Sequence, residues 1–139
     1  MSECVFCRII SGDIPSTRIY EDDEIVAFMD INPANPGHAL VVPKRHFRNL
    51  FDIDEEMAAK VMRVATKIAK AVKKAINPDG VNLFQASEKA AFQTVFHFHM
   101  HVIPRWEEDG LVEPWEPKKG DIEEIGRVAE KIRGCLSTS

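Results

Sequence analysis

Between Val95 and Ile103 the chain alternates strictly: Phe96, Phe98, Met100 and Val102 fall on one parity, His97, His99 and His101 on the other. Successive strand side chains point to opposite faces, so a period of two sorts the imidazoles from the apolar groups, whereas a helix would scatter both around its circumference. The pattern predicts a strand with three imidazoles on one face. From 53 to 76 the period changes: Ile53, Met57, Val61, Val64, Ala65, Ile68, Val72 and Ile76 recur at spacings of three and four, the stripe of a long helix. Asp52 and Glu55 suit its first turn and Lys67, Lys70, Lys73 and Lys74 its last, and Asn77-Pro78-Asp79-Gly80 stops it.

Shorter runs supply the other elements. Thr17–Glu21 and Glu24–Asp30 read as a hairpin turning at Asp22-Asp23, and His38–Pro43 as a strand after the loop Asn32-Pro33-Ala34-Asn35-Pro36-Gly37. Val81–Gln85 is a further strand, reached from the triad strand across Ser87–Phe92. The first fifteen residues are punctuated by Gly12-Asp13 and Ile14-Pro15 and read as irregular or a single turn. Residues 106–120 read mostly as loop, with Trp106 and Trp115 either anchoring it or walling a pocket. Asp121 with Glu124 resembles a capping box before Ile122, Ile125, Val128, Ala129, Ile132 and Leu136, a closing amphipathic helix. The expected fold is α+β: about five strands in an antiparallel sheet, one long helix and a C-terminal helix, with the helices on one side.

Length and charge narrow the classes. At 139 residues a single domain, 1–139, is expected. A net charge of −4 argues against general binding to nucleic acid or to anionic membrane. No apolar run suits a signal peptide or membrane span, so a cytoplasmic protein is expected. The lysines of the long helix read as a solvated face, since no aromatics interleave them. Three cysteines are a poor basis for a disulfide framework, but Cys4 and Cys7 stand at a spacing consistent with metal ligation. Cys135 reads as a small buried apolar residue.

Three titratable rings at alternate strand positions, neighbours about 7 Å apart, are costly to bury unless metal, anion or hydrogen-bond partners satisfy them. The segment His97-Phe98-His99-Met100-His101-Val102-Ile103, extended by Gln93-Thr94-Val95 before it and Pro104-Arg105 after it, resembles the signature of the histidine-triad (HIT) superfamily of nucleotidyl hydrolases and transferases. Family-like segments cover about residues 4 to 105. The resemblance implies a HIT-like fold, a homodimer, and cleavage at the α-phosphate of a purine nucleotide through a nucleotidyl-histidine. By position His99 would be the nucleophile, a role imidazole suits because it is largely unprotonated at neutral pH. His101 would bind phosphate oxygen and His38 would help orient the nucleophile. Gln93 and Thr94 fall where the family contacts the phosphate bridge and leaving group. Phe28 and Ile31 would sandwich the base, and Asp30 would accept from the ribose hydroxyls.

The same resemblance, to the zinc-containing bacterial branch, implies that His46, ending Pro43-Lys44-Arg45-His46, and His97 complete a structural Zn²⁺ site with Cys4 and Cys7, anchoring residues 1–16 to the catalytic strand. One departure stands out: Ala86–Phe92 replaces a loop in which many members carry Asn and glycines, and Phe92 stands where a glycine brings backbone close to phosphate. With few cations near the triad, chiefly Arg105 and Lys89, small phosphoramidates are favoured over dinucleoside polyphosphates. Two other readings remain open: a nucleotide-binding, zinc-stabilised interaction module with little turnover, and a metallohydrolase in which the triad itself holds the ion.

Overall fold

The computed structural model describes residues 3–136. Its elements are α1 (Val5–Ser11), β1 (Arg18–Glu21), β2 (Ile25–Met29), β3 (Ala39–Pro43), α2 (Glu55–Ile76), β4 (Gly80–Phe84), β5 (Met100–Arg105) and α3 (Ile122–Leu136), with a 3-10 turn at Lys89–Ala91. The five strands form one antiparallel sheet in the order β1-β2-β3-β5-β4. This is the α+β architecture expected from the pattern.

Both faces of the central strands are buried, and alternation divides them. Ile25, Ala27, Ala39, Val41, Phe98 and Val102 meet Met57, Val61, Val64, Ala65 and Ile68 of α2 in one core. Val26, Phe28, Leu40 and Val42 face the other way, against Phe6 and Ile9 of α1. The expectation that helices lie on one side is therefore corrected: α1 covers the face opposite α2. What reads as irregular in sequence is a helix of seven residues, capped by the Cys4 sulfur accepting from the Cys7 N–H at 3.3 Å and ended at Gly12 with φ +91°.

α2 behaves as its stripe requires. The Asp54 carboxylate accepts from the Met57 N–H at 3.0 Å, a cap worth roughly 1 kcal/mol, and Asn77 closes the helix in the left-handed region at φ 48°. Gly37 connects the α2 end to the site: it has φ +91°, and a Cβ there would lie 2.6 Å from Ile76 Cδ1 and 3.0 Å from Pro104 Cγ. Glycine is thus required one residue before His38 for backbone and space alike.

Two expectations shift. The triad strand begins at Met100 rather than Val95, because the Phe98 N–H donates to the Phe47 carbonyl (2.7 Å), outside the sheet. The alternation survives this: Phe98, Met100 and Val102 still pack on the α2 side. α3 forms where the capping residues place it, but its apolar stripe is exposed, at Ile122, Ile125, Val128, Ile132 and Leu136. Cys135 is exposed as well, correcting the expectation of a buried residue.

Candidate functional site

β5 and the segment before it bring the three triad histidines to the α1 face, where the residue leading into β3 is His38 and the α1 start contributes two cysteines. Two clusters result. Cys4, Cys7, His46 and His97 form one and Asp30, His38 and His101 the other; in each, one potential ligand atom per residue lies within 4.8 Å of every other.

In the first cluster, His97 Nδ1 lies 3.3 Å from Cys4 Sγ, 3.5 Å from Cys7 Sγ and 3.1 Å from His46 Nδ1, and Cys7 Sγ lies 3.5 Å from His46 Nδ1. A tetrahedron on Zn–S bonds of about 2.3 Å and Zn–N bonds of about 2.0 Å spaces S and N roughly 3.5 Å apart and two N roughly 3.3 Å. The donor set and its spacing fit Zn²⁺. The outer bond fits too: His97 Nε2–H donates to the Pro43 carbonyl at 2.8 Å, leaving the Nδ1 lone pair directed at the cluster. Burial pushes His97 down to about 4, so the ring stays neutral and able to ligate.

The second cluster is wired in the opposite sense. His38 Nδ1 accepts from the Ala34 N–H at 2.9 Å, so the proton of the neutral ring sits on Nε2. That Nε2–H donates to His101 Nδ1 at 2.9 Å, which puts the His101 proton on Nε2 in turn. His38 thus points an N–H into the cluster where a metal would need a lone pair, and the His101 proton sits on the ring nitrogen away from it. Asp30 Oδ2 stands 3.5 Å from His38 Nε2, and its Oδ1 accepts from the Asn32 N–H at 2.8 Å.

Between the clusters lies His99, whose Nδ1–H donates to the His97 carbonyl at 2.7 Å, so Nε2 carries the free lone pair. Its ring is 4.8 Å from that of His101, centroid to centroid, and 4.9 Å from that of Phe6. Burial holds His38, His99 and His101 below the usual imidazole range, His101 at about 4, all neutral near pH 7. Three neutral rings with assigned tautomers present one nucleophilic nitrogen beside one N–H donor, the pair a phosphoryl transfer requires.

Other expected residues fall less simply. His38 bonds His101 and not His99, so it orients the donor of the pair. Gln93 is buried, and its amide is spent internally: Oε1 accepts from the Glu88 and Asn49 N–H groups (2.7 and 3.1 Å), and Nε2 donates to the Arg48 and Val95 carbonyls (2.7 and 3.1 Å). Its amide thus pins the preceding loop. Thr94 beside it is exposed. Phe28 is 3% exposed and Ile31 88%, so the base sandwich pairs a buried floor with a residue on an open loop.

The divergent loop keeps the backbone that glycines allow. Phe92 is left-handed at φ 76°, and Glu88, at φ 75° and ψ 160°, lies in a region open essentially only to glycine, each at a cost of about 1–3 kcal/mol. Arg48 clamps Glu88 with two bonds of 2.8 and 2.9 Å and holds its carboxyl at about 2. Arg105, a cationic candidate for polyphosphate, is committed to Asp109, Asn82 and the Leu111 carbonyl. Trp115 lines an open groove of about 1170 Å³ with Leu83, Phe84 and Ile103, on the sheet side that carries His101. Phe6 was not legible as a site residue, although it stands between the two cysteines.

The HIT domain family matches residues 11–108, and the chain belongs to that family. Adenosine 5'-monophosphoramidase HNT1 of Saccharomyces cerevisiae is 38% identical, covering 98% of this chain and 84% of that one. The crystal structure of a HIT family protein from Bacillus anthracis superposes with a TM-score of 0.90 at 39% identity, covering 96% and 97% of the two chains. A Zn-bound histidine triad family protein from Mycobacterium smegmatis does so with a TM-score of 0.76 at 42% identity, covering 98% and 96%. Among the described residues, no helix is long and apolar enough to cross a membrane.

Proposed function

We propose that this protein hydrolyses purine nucleotides at the α-phosphate, with small nucleoside 5′-phosphoramidates preferred over dinucleoside polyphosphates. The observation carrying this reading is the tautomer chain from Ala34 through His38 to His101, set beside His99 with its free Nε2. His99 Nε2 attacks phosphorus and forms a P–N bond. The bond to the leaving amine breaks, and the amine takes a proton relayed from solvent through the exposed Thr94 hydroxyl. Water then attacks the nucleotidyl-histidine, its oxygen bonding phosphorus as the P–N bond breaks and its proton passing back to solvent by the same relay, which releases the monophosphate and returns the lone pair to Nε2. His101 Nε2–H donates to the phosphate oxygens throughout. Phe28 and Ile31 take the base and Asp30 the ribose diol.

The similarity to a yeast adenosine 5'-monophosphoramidase supports the substrate class, and the internal commitment of Arg105 supports the preference against polyphosphate. One Zn²⁺ held by Cys4, Cys7, His46 and His97 has a structural role in this reading, supported by their spacing and by the Zn-bound relative. The working form is a cytoplasmic homodimer of one HIT domain per chain. The exposed stripe of α3 and the groove along the edge strand β4 support a second copy as their cover.

The test is incubation with α-phosphate-labelled adenosine phosphoramidate and with dinucleoside tetraphosphate. Label on His99 in an alkaline denaturing quench, which preserves the acid-labile P–N bond, and release of AMP are expected, with the larger kcat/KM for the phosphoramidate. Nucleotide binding without release of AMP from either would turn the protein into a binding module.

A further inference from the structure

Helix α1 carries part of the first cluster and packs against His99, the ring between the two clusters. Cys4 caps it and Cys7 lies in its first turn. Phe6, between them, is buried and meets three rings edge-on: His99 at 4.9 Å and 90°, Phe28 at 5.5 Å and 75°, and His97 at 6.0 Å and 68°. Besides its packing against His101, two contacts among the described residues restrain the His99 ring. Phe6 abuts it, and the His97 carbonyl holds its Nδ1–H at 2.7 Å. Both restraints trace to the same four residues, since Cys4 and Cys7 flank Phe6 and His97 is the third member of their cluster. A helix of seven residues has too little hydrogen bonding to hold its own place, so its position depends on what it is tied to.

We propose that the cluster of Cys4, Cys7, His46 and His97, when it holds its metal, positions the nucleophile: it fixes α1 so that Phe6 and the His97 carbonyl together aim His99 Nε2. Phe6 is a positioning residue, and metal occupancy is linked to the chemical step without the metal touching substrate. This rests on His99 as nucleophile and adds to that reading a coupling between the two sites. Reaction rates fall about 100-fold for roughly 1 Å of misplacement, so a small loosening of the ring is visible in kcat.

The experiment compares wild-type protein, chelator-stripped protein and metal-loaded Phe6→Leu. It follows kcat and KM for adenosine phosphoramidate, AMP affinity by calorimetry, and the Nδ1 proton of His99 by NMR in histidine-¹⁵N-labelled protein. For Phe6→Leu, folded and with its metal intact, kcat should fall about tenfold while KM stays within about twofold, and the Nδ1 proton should broaden. Stripped wild-type protein should show the same signature if it stays folded; if it unfolds, metal-loaded Phe6→Leu alone decides. A raised KM with unchanged kcat would mean that Phe6 only backs Phe28. A lower melting temperature with kcat, KM and the resonance unchanged would mean a purely structural role. Either overturns the coupling. Absence of turnover in wild type would instead sink the hydrolase reading, and the resonance still reports whether α1 and the metal restrain His99.

Discussion

The two histidine clusters use the same ring chemistry and differ in one outer bond. At His97 the outer partner is a carbonyl, Pro43 O, which takes the ring's proton and turns a lone pair toward the two sulfurs. At His38 the outer partner is an amide, Ala34 N–H, which occupies a lone pair and turns the proton inward, through His38 to His101. One cluster becomes a ligand set and the other a donor set. Reversing either would require a buried N–H to face another N–H, or a lone pair to face a carbonyl oxygen, each costing about 1–3 kcal/mol. The comparison also bears on metal binding at the second cluster: Asp30, His38 and His101, only the last of them a triad residue, lie close enough to chelate, but the His38 proton sits on the nitrogen that would have to ligate.

The sharpest way to break this division is at His99, which belongs to neither cluster and connects them. His99→Asn should lower turnover by at least about 10³-fold while AMP binding, measured by calorimetry, persists and metal content stays at one per chain. A variant retaining a few per cent of the wild-type rate would remove His99 from the nucleophile's role.

The next effect falls on the metal side. Cys4→Ser with Cys7→Ser should abolish bound metal in elemental analysis and lower the melting temperature by several degrees or more, since about 2 kcal/mol shifts a domain of this size by roughly 4–12 °C. Wild-type protein given excess Zn²⁺ should hold one ion per chain. A second tight ion, lost in His38→Ala, would show that the triad side chelates after all.

The smallest effect is in the pH dependence of stability. Burial depresses His38, and His101 to about 4, against about 6.5 for an unfolded histidine. A depressed histidine binds fewer protons folded than unfolded, so its stabilisation is complete above about pH 6.5 and is lost as pH falls toward 4. Urea midpoints between pH 7 and pH 4.5 should decline, and less steeply in His101→Asn. An unchanged slope in that variant would place the titration elsewhere.

Much of this was readable before the structure, and for a definite reason. The triad, the α2 stripe and the sheet depend on alternation and capping, which are local, so the sequence carries them directly. The start of β5 was misplaced because Phe98 bonds to Phe47, a partner that no local pattern announces. Gln93 was assigned to phosphate by position, whereas Glu88, Asn49 and Arg48 consume its amide, and such saturation is a property of three dimensions. Phe6 was overlooked because a phenylalanine between two cysteines looks like ordinary core. α3 was correctly seen as amphipathic, but its stripe finds no cover among the described residues.

His97 has a further consequence, in the order of events as the chain is made. Cys4 and His97 are 93 positions apart, and Cys7 and His97 are 90 apart. Closing so long a loop is entropically expensive until the intervening elements have organised, and non-local contacts of this kind form late. During synthesis the two thiols emerge first and wait while the β1–β2 hairpin, β3, α2 and β4 are all produced. The residue that completes their cluster is the same one whose carbonyl orients His99. On the proposed reading, a chain therefore has no aimed nucleophile before it has a finished ligand set, and both are completed by the arrival of one segment.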